Sequence, residues 1–212
     1  MKLKAFVFSC CCLALCHVLA REPEWKLLIP GKTLDDWKAV NGPLESWTLH
    51  DGVLTCSGKG GGWLETKTEY SNYELELEYC VHAKGNSGVF LRIPEKAIDP
   101  AYDGAEIQIL EDYAPEYAKL KPTQYTGSVY DVAAANPRVS KKADEWQKMK
   151  IVVDGTKVKV ELNGKTVVDI DSQDHADSFE KHPGLKRERG FVGLQNHGSS
   201  VDFRNLRIRE LP

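Results

Sequence analysis

The segment Tyr73 to Val81, YELELEYCV, sets Tyr73, Leu75, Leu77, Tyr79 and Val81 against Glu74, Glu76 and Glu78. This is the period of a strand and not of a helix: alternate side chains take opposite faces, so one face is apolar and the other acidic. A segment so divided needs a sheet to pair with and an apolar layer to pack against. Further along, MKIVVDGTKVKVELNGKTVVDI strings strands together through Asp154-Gly155 and Asn163-Gly164, dipeptides that readily supply the positive φ angles of tight hairpins. The closing RGFVGLQNHGSSVDFRNLRIREL adds two strands, with Val192 and Leu194 on one face of the first and Val201 and Phe203 on one face of the second. Little reads as helix beyond a turn or two near Ala114 to Leu120. With 17 glycines and turn signals at close intervals, the chain is expected to be all-β, two antiparallel sheets packed face to face as a jelly-roll sandwich.

A length of 212 residues suits one such domain. The first residues, MKLKAFVFSCCCLALCHVLA, place Lys2 and Lys4 before an apolar run and end on Val18 and Ala20, the small-residue positions of a leader cleavage site. The expectation is a signal peptide over 1–20, an exported product that is periplasmic or extracellular, and one sandwich domain over 21–212. The run from Ala5 to Leu19 is shorter than the roughly 20 apolar residues of a membrane anchor, so no membrane span is expected in the mature chain. The cysteines of that run make poor lipidation sites, since VFSC has too short an apolar stretch before it and LALC has Leu15 where a small residue is needed. Removing the leader takes four of the six cysteines and leaves 26 cations against 31 acids, a net charge of −5. That balance, without a basic patch, argues against a nucleic-acid partner. Cys56 and Cys80 remain, each in a strand-like segment, either as a bridge or as two thiols.

Four longer polar stretches interrupt the strands, at 94–104, 112–124, 132–144 and 171–189, and connections of that length are often lids or binding loops. Three of them flank GAEIQILED, Gly104 to Asp112. There Ala105, Ile107 and Ile109 claim the core, and Glu106 and Gln108 point away from it. The same argument applied to NSGVFLRIP sends Val89, Leu91 and Ile93 inward, leaving Phe90 and Arg92 outward with Asn86 and Gly88 in register. In TGSVYDV, Val129 goes inward and Ser128 and Tyr130 outward; in FVGLQNHG, Gly193, Gln195 and His197 go outward. An ordinary solvated sheet face carries Lys, Glu and Thr. This set of planar amides, aromatics, a cation and a carboxylate is the inventory that holds a small carbohydrate, provided the strands are neighbours. The other histidines, His50, His82, His175 and His182, are scattered and read as surface residues, the last two within a loop that could form a lid. No spacing demands a metal, and a divalent ion on carboxylates and His197 stays open. GKGGGW, Gly58 to Trp63, lacks the Ser or Thr and the helix of a phosphate loop and reads as a turn.

EIQILED resembles the E-x-D-x-x-E strand of family 16 glycoside hydrolases, in which two glutamates serve as nucleophile and acid/base. Here Gln108 stands at the middle aspartate, and a neutral amide cannot tune the first carboxylate as an anion would. A longer resemblance is to the 3-keto-disaccharide hydrolase family, also described as 3-keto-glucoside lyases and hydratases, on a concanavalin A-like sandwich. It is carried in order by LLIPGKTLDDW, GNSGVFLR, GAEIQILED, TGSVYDV, DEWQKMKIVVDG, LNG, GFVGLQNHG and VDFRNLRI, covering nearly all of residues 25 to 210. That resemblance implies a sugar already oxidised at C3, a base that removes the C2 proton, β-elimination of the C1 substituent and rehydration of the product. It implies Glu106 or His197 as base, Arg92 and Gln108 as binders of the carbonyl and enolate, and Tyr130 or Glu111 as proton donor. Phe90, Asn86, Gln195 and Asp112 complete the expected substrate contacts. The competing readings are a lectin-like binding module on the same sandwich and a conventional glycosidase.

Overall fold

The computed structural model describes residues 23–212, so the expected leader lies outside the described residues. Thirteen strands are described, in chain order β1 (Lys26–Leu27), β2 (Trp37–Val40), β3 (Trp47–His50), β4 (Val53–Cys56), β5 (Trp63–Tyr70), β6 (Tyr73–Val81), β7 (Asn86–Ile93), β8 (Ala105–Leu110), β9 (Gln147–Asp154), β10 (Lys157–Leu162), β11 (Lys165–Asp171), β12 (Gly190–Gln195) and β13 (Val201–Glu210). They form two antiparallel sheets. The larger has the order β11-β10-β9-β6-β13-β4-β3 with β1 joined to β13, and the smaller runs β2-β5-β12-β7-β8. The all-β sandwich read from the strand periods is the observed fold. Hairpins at Asn163-Gly164 and Gly155, with positive φ at all three residues, set the β9-β10-β11 meander. Short 3₁₀ turns take the place of the helix expected near Ala114, the first spanning Pro115–Tyr117.

The two sheets bury one main core between them. Tyr73, Leu75, Leu77, Tyr79 and Val81 of β6 enter it opposite Val89, Leu91, Ile107, Ile109, Val192 and Leu194 of the smaller sheet. Each fully buried aliphatic side chain contributes on the order of 1.5–3 kcal/mol, so this alternation is the dominant source of stability. On the other face of β6 the three glutamates meet a matching row from β13: Arg209, Arg207 and Arg204 lie opposite Glu74, Glu76 and Glu78. Arg209 reaches Glu74 at 2.8 Å and Arg204 reaches Glu78 at 2.7 Å. Partly solvated pairs of this kind are worth only tenths of a kcal/mol to about 1 kcal/mol each, and their main effect is to fix strand register. Cys56 and Cys80 are both buried free thiols.

The smaller sheet is unusual in being covered on both faces. A second apolar cluster of Trp63, Phe90, Ile93, Ala101 and Phe191 lies on its outer side, with Trp63 and Phe90 edge to face at 6.3 Å. The 94–104 connection folds over this face and carries a single helical turn, α1 (Pro100–Asp103), started by the Asp99 side chain accepting from the Ala101 N–H with Pro100 at the first helical position.

Two outward-facing assignments are corrected here. Phe90 does leave the main core, but it is buried in the second cluster and not presented to a ligand. Arg92 has φ +50°, and that left-handed residue breaks the alternation of β7, so Ile93 joins the outer cluster and Arg92 turns toward the sheet end. All five of its N–H donors are spent there. Nε and Nη2 donate to Ser71 O, Nη1 to Gly155 O and Arg187 O, and Nη2 also to Asn72 Oδ1. It borders a cavity of about 730 Å³ remote from the other predicted site residues, and acts as a staple joining three turns.

At the opposite end, His82 bridges two carboxylates, with Nδ1 2.6 Å from Asp144 and Nε2 3.1 Å from Asp202. Partial burial pulls its pKa down, but the two hydrogen bonds and charges prevail and hold it above the ordinary histidine value.

Two outcomes follow. Replacing Arg92 by Met leaves its carbonyl partners unsatisfied and should lower unfolding stability by on the order of 2–3 kcal/mol, read as a shifted urea midpoint; an unchanged midpoint would contradict the staple. Because the folded-state pKa of His82 is raised, its stabilisation is fully present below the unfolded value and fades as pH rises through the folded one. Wild type should therefore lose thermal stability relative to H82Q between about pH 6 and pH 8, and parallel pH profiles for the two proteins would refute this.

Candidate active site

On the outer face of the smaller sheet, the cross-strand register brings the predicted polar residues together. Phe90 lies opposite Glu106, Gly88 opposite Gln108 and Asn86 opposite Leu110, while Gln195 pairs with Trp63 on the other side of β12. The backbone N–H of Tyr130 donates to Glu106 O at 2.9 Å and that of Gln108 to Ser128 O at 3.0 Å, which lays the 125–133 segment along β8 as a further edge. Where the second apolar cluster stops, a cavity of about 310 Å³ begins, lined by Asn86, Glu106, Gln108, Tyr130, Gln195 and His197 from the predicted set, and by Asp99, Ala101 and Tyr102.

Glu106 forms the floor. It is 3% exposed, and its Oε1 is buried without a hydrogen-bond partner. Space for the carboxyl exists only because position 88 is glycine: a Cβ there would stand 2.1 Å from Oε1 and 2.8 Å from Cδ of Glu106. Desolvation, reinforced by the charge of Asp99, pushes the Glu106 pKa up to about 8. Glu65 on the same sheet is buried as well but differently partnered. At 1% exposure it accepts from Trp63 Nε1 at 2.7 Å and pairs with Lys38 Nζ at 2.9 Å. One buried carboxylate is fully partnered and the other is left open beside a cavity.

The surrounding groups are polar and mostly neutral. Gln108 Nε2 donates to Asn86 Oδ1 at 2.9 Å, and Asn86 is held in turn by its backbone N–H donating to Ser199 Oγ at 2.7 Å. The Gln195 Oε1 atom is buried without a partner, and His197 stands exposed at the rim. The Tyr130 hydroxyl accepts from Gln124 Nε2 at 3.1 Å; burial first, and then the nearby Tyr102, Asp131 and Glu106, raise its pKa despite that bond. Tyr102 meets Tyr130 edge to face at 6.4 Å.

Two predicted residues stand elsewhere. Glu111 accepts from the Lys84 N–H and does not line the cavity, because the strand has ended at Leu110 and the chain turns away. Asp112 is buried and fully engaged by Thr126 N (3.0 Å), Thr126 Oγ1 (2.8 Å) and Ser140 Oγ (2.6 Å), so it clasps two loops together. The pair of carboxylates that a family 16 arrangement requires is therefore not assembled. Asp99 and Tyr102, which sequence periodicity did not select, arrive on α1; the Asp-Pro helix start was the available signal. His182, read as a surface residue, is 2% exposed and lies against Tyr102 at 4.7 Å between ring centres. Among the described residues no group of three His, Cys, Asp or Glu side chains is gathered as a metal site.

The 3-keto-alpha-glucoside-1,2-lyase-like domain matches residues 24–209 of this chain. The chain belongs to that family. A 3-keto-disaccharide hydrolase of Bacteroides thetaiotaomicron is 29% identical over 224 aligned positions, covering 87% of this chain and 77% of that protein. Among solved structures, a Parabacteroides distasonis protein whose name places it provisionally among glycosyl hydrolases superposes with a TM-score of 0.77 at 33% identity, over 89% of this chain and all of that one. A carbohydrate-binding module, CBM66 of Bacillus subtilis, shares the fold alone, with a TM-score of 0.57 at 14% identity over 82% of this chain and 96% of the module. The family match spans both sheets and every strand that contributes to the cavity.

Carbon-13 labelling of the glutamate carboxyls should show one group titrating near 8, assigned by its absence in E106Q. In G88A the nearest atoms the Cβ meets are Oε1, Cδ and Cγ of the Glu106 side chain, with no backbone among them, so the fold should persist while that midpoint moves. A spectrum in which every glutamate completes its titration below pH 6 would refute the buried, open carboxyl.

Proposed function

We infer that this protein is a carbohydrate-active enzyme that cleaves 3-keto-glycosides or 3-keto-disaccharides, with Glu106 as the base. The observation that carries the reading is the buried carboxyl with an unpartnered oxygen on the floor of a polar cavity, in a chain of a family described as 3-keto-glucoside lyase-like. A group ionising near 8 gives a stronger conjugate base than an ordinary surface carboxylate, which suits removal of a carbon-bound proton made acidic by an adjacent ketone.

The substrate carbonyl at C3 withdraws electrons from the C2–H bond. The ionised Glu106 takes that proton and the electron pair passes into the C3 enolate. Collapse of the enolate forms the C1–C2 double bond and breaks the C1–O bond, and the departing oxygen takes a proton from the cavity wall. The product is a 3-keto-2-hydroxy-glucal, to which water adds to complete net hydrolysis. Amides suit the enolate because they donate hydrogen bonds without a cation that would bind every anion equally: Asn86, Gln108 and Gln195 fill that role, and His197 closes the rim. Tyr130 adds a neutral phenol. The burial that keeps Glu106 protonated at rest has a consequence for pH. The ionised fraction grows as pH rises, so kcat/KM should climb toward a plateau with a midpoint near 8. A carboxyl acting as an acid would instead give activity that falls above that value.

Purified protein incubated with 3-keto-trehalose should release glucose and leave unoxidised trehalose intact. E106Q should lose roughly 10²–10⁴-fold in kcat/KM while melting like wild type. Equal turnover of both sugars would favour a conventional hydrolase, and sugar binding without turnover of either would indicate a binding module.

A further inference from the structure

The loop at 171–189 reaches the cavity wall without lining it, and what it touches is Tyr102. Lys181 Nζ lies over the Tyr102 ring, 5.2 Å from its centre. The same Nζ lies 2.6 Å from Asp131 Oδ2, whose side chain is 7% exposed. From the other side the buried His182 ring packs on Tyr102 at 4.7 Å. Among the described residues, Tyr102 is thus the cavity-lining phenol with a cation over its ring. At Tyr130, by contrast, burial and then the nearby Tyr102 and Asp131 oppose formation of a phenolate.

We propose that Tyr102 is the acid that protonates the departing oxygen, and that Lys181, fixed by Asp131, is the positioning residue that steadies the phenolate left behind. The proposal rests on the elimination reading above and assigns its proton donor. The bookkeeping closes: the C1–O bond breaks, the leaving oxygen receives the Tyr102 proton, the phenolate is held beside the Lys181 ammonium, and the proton that Glu106 took from C2 returns to the phenolate through water as the site resets. His182 has a different task. Its Nε2 is buried without a partner and burial lowers its pKa, so it remains a neutral ring that sets the angle of Tyr102 without competing for the proton.

An acid matters only when the leaving group is a poor one, and that supplies the test. Wild type, Y102F, Y130F, K181M and K181R are assayed on 4-nitrophenyl 3-keto-glucoside, whose phenolate departs unaided, and on methyl 3-keto-glucoside, whose alkoxide cannot. Y102F should lose about 10²-fold or more in kcat on the methyl substrate and no more than a few-fold on the nitrophenyl one, whose retained turnover also reports an intact fold. K181M, at an exposed side chain that leaves the core untouched, should show the same selectivity at about 10-fold, and K181R should restore most of it. Equal losses on both substrates in Y102F and K181M, or selective loss in Y130F instead, would overturn the assignment while leaving the elimination reading in place. Wild type inert on both substrates would sink that reading and this proposal together.

Discussion

The smaller sheet is asked to bury both of its faces, and most of the site follows from that demand. Its inner face closes the sandwich through Val89, Leu91, Ile107, Ile109, Val192 and Leu194. Its outer face is half covered by the 94–104 connection, which lays Ala101 over Trp63, Phe90, Ile93 and Phe191. Water is excluded up to the edge of that cover, and the cavity opens where the apolar residues give way to Asn86, Glu106 and Gln108. A carboxyl placed at such a boundary is shielded by the cluster on one side and accessible to a small molecule on the other. Its low ionisation at neutral pH is a product of packing, not of any special feature of the glutamate.

Glu106 and Glu65 differ in their partners. Both are nearly inaccessible and both sit on the same sheet face, yet Glu65 is given an indole N–H and an ammonium at hydrogen-bond distance. A buried ion that is paired in this way is structural: removing a partner would leave an uncompensated charge. Glu106 lacks such partners for Oε1, and its carboxyl occupies space that a side chain at position 88 would have filled. A fold does not retain an unpaired buried acid for stability, since each such group costs free energy. The pairing of an orphan acid with an absent side chain therefore supports the proposed reactive role of Glu106 over a core defect.

How much of this could be read from the residues alone depended on whether backbone geometry stayed regular. Alternation predicted the face of Glu106, Gln108 and Gln195, because β8 and the end of β12 keep to period two there, whereas Tyr130 and His197 reach the cavity from outside the strands. It failed at Arg92, where a positive φ in a residue with a side chain inverts the pattern and no local signal announces it. It failed differently at Phe90, whose face was right but whose exposure was not, since periodicity says nothing about a loop that folds back over the outside of a sheet. Glu111 and Asp112 belong to the turn after β8, where strand alternation no longer applies. Asp99 and Tyr102 were hidden because they come from a single helical turn in a connection too irregular for any period to mark.

Arg92 also shows why distance from the cavity does not make a residue irrelevant to it. Its Nη1 holds Arg187 O at 2.6 Å, and Arg187 Nε donates back to Arg92 O at 3.1 Å, so the end of the 183–187 turn is fixed to the end of β7. One residue group earlier, Gly184 packs so closely on Gly104 that a Cβ would lie 1.9 Å from its carbonyl oxygen, which docks that turn against the end of α1. Lys181 and His182 precede this anchor, and Tyr102 lies within α1. The arginine therefore fixes, through two backbone contacts, the relative position of the phenol and the lysine that touches it. Loss of activity after substitution at Arg92 would consequently not identify a substrate ligand. A lost ligand weakens binding of the sugar whatever its leaving group, whereas with the acid role proposed for Tyr102 a loosened turn weakens turnover most where the departing oxygen needs a proton.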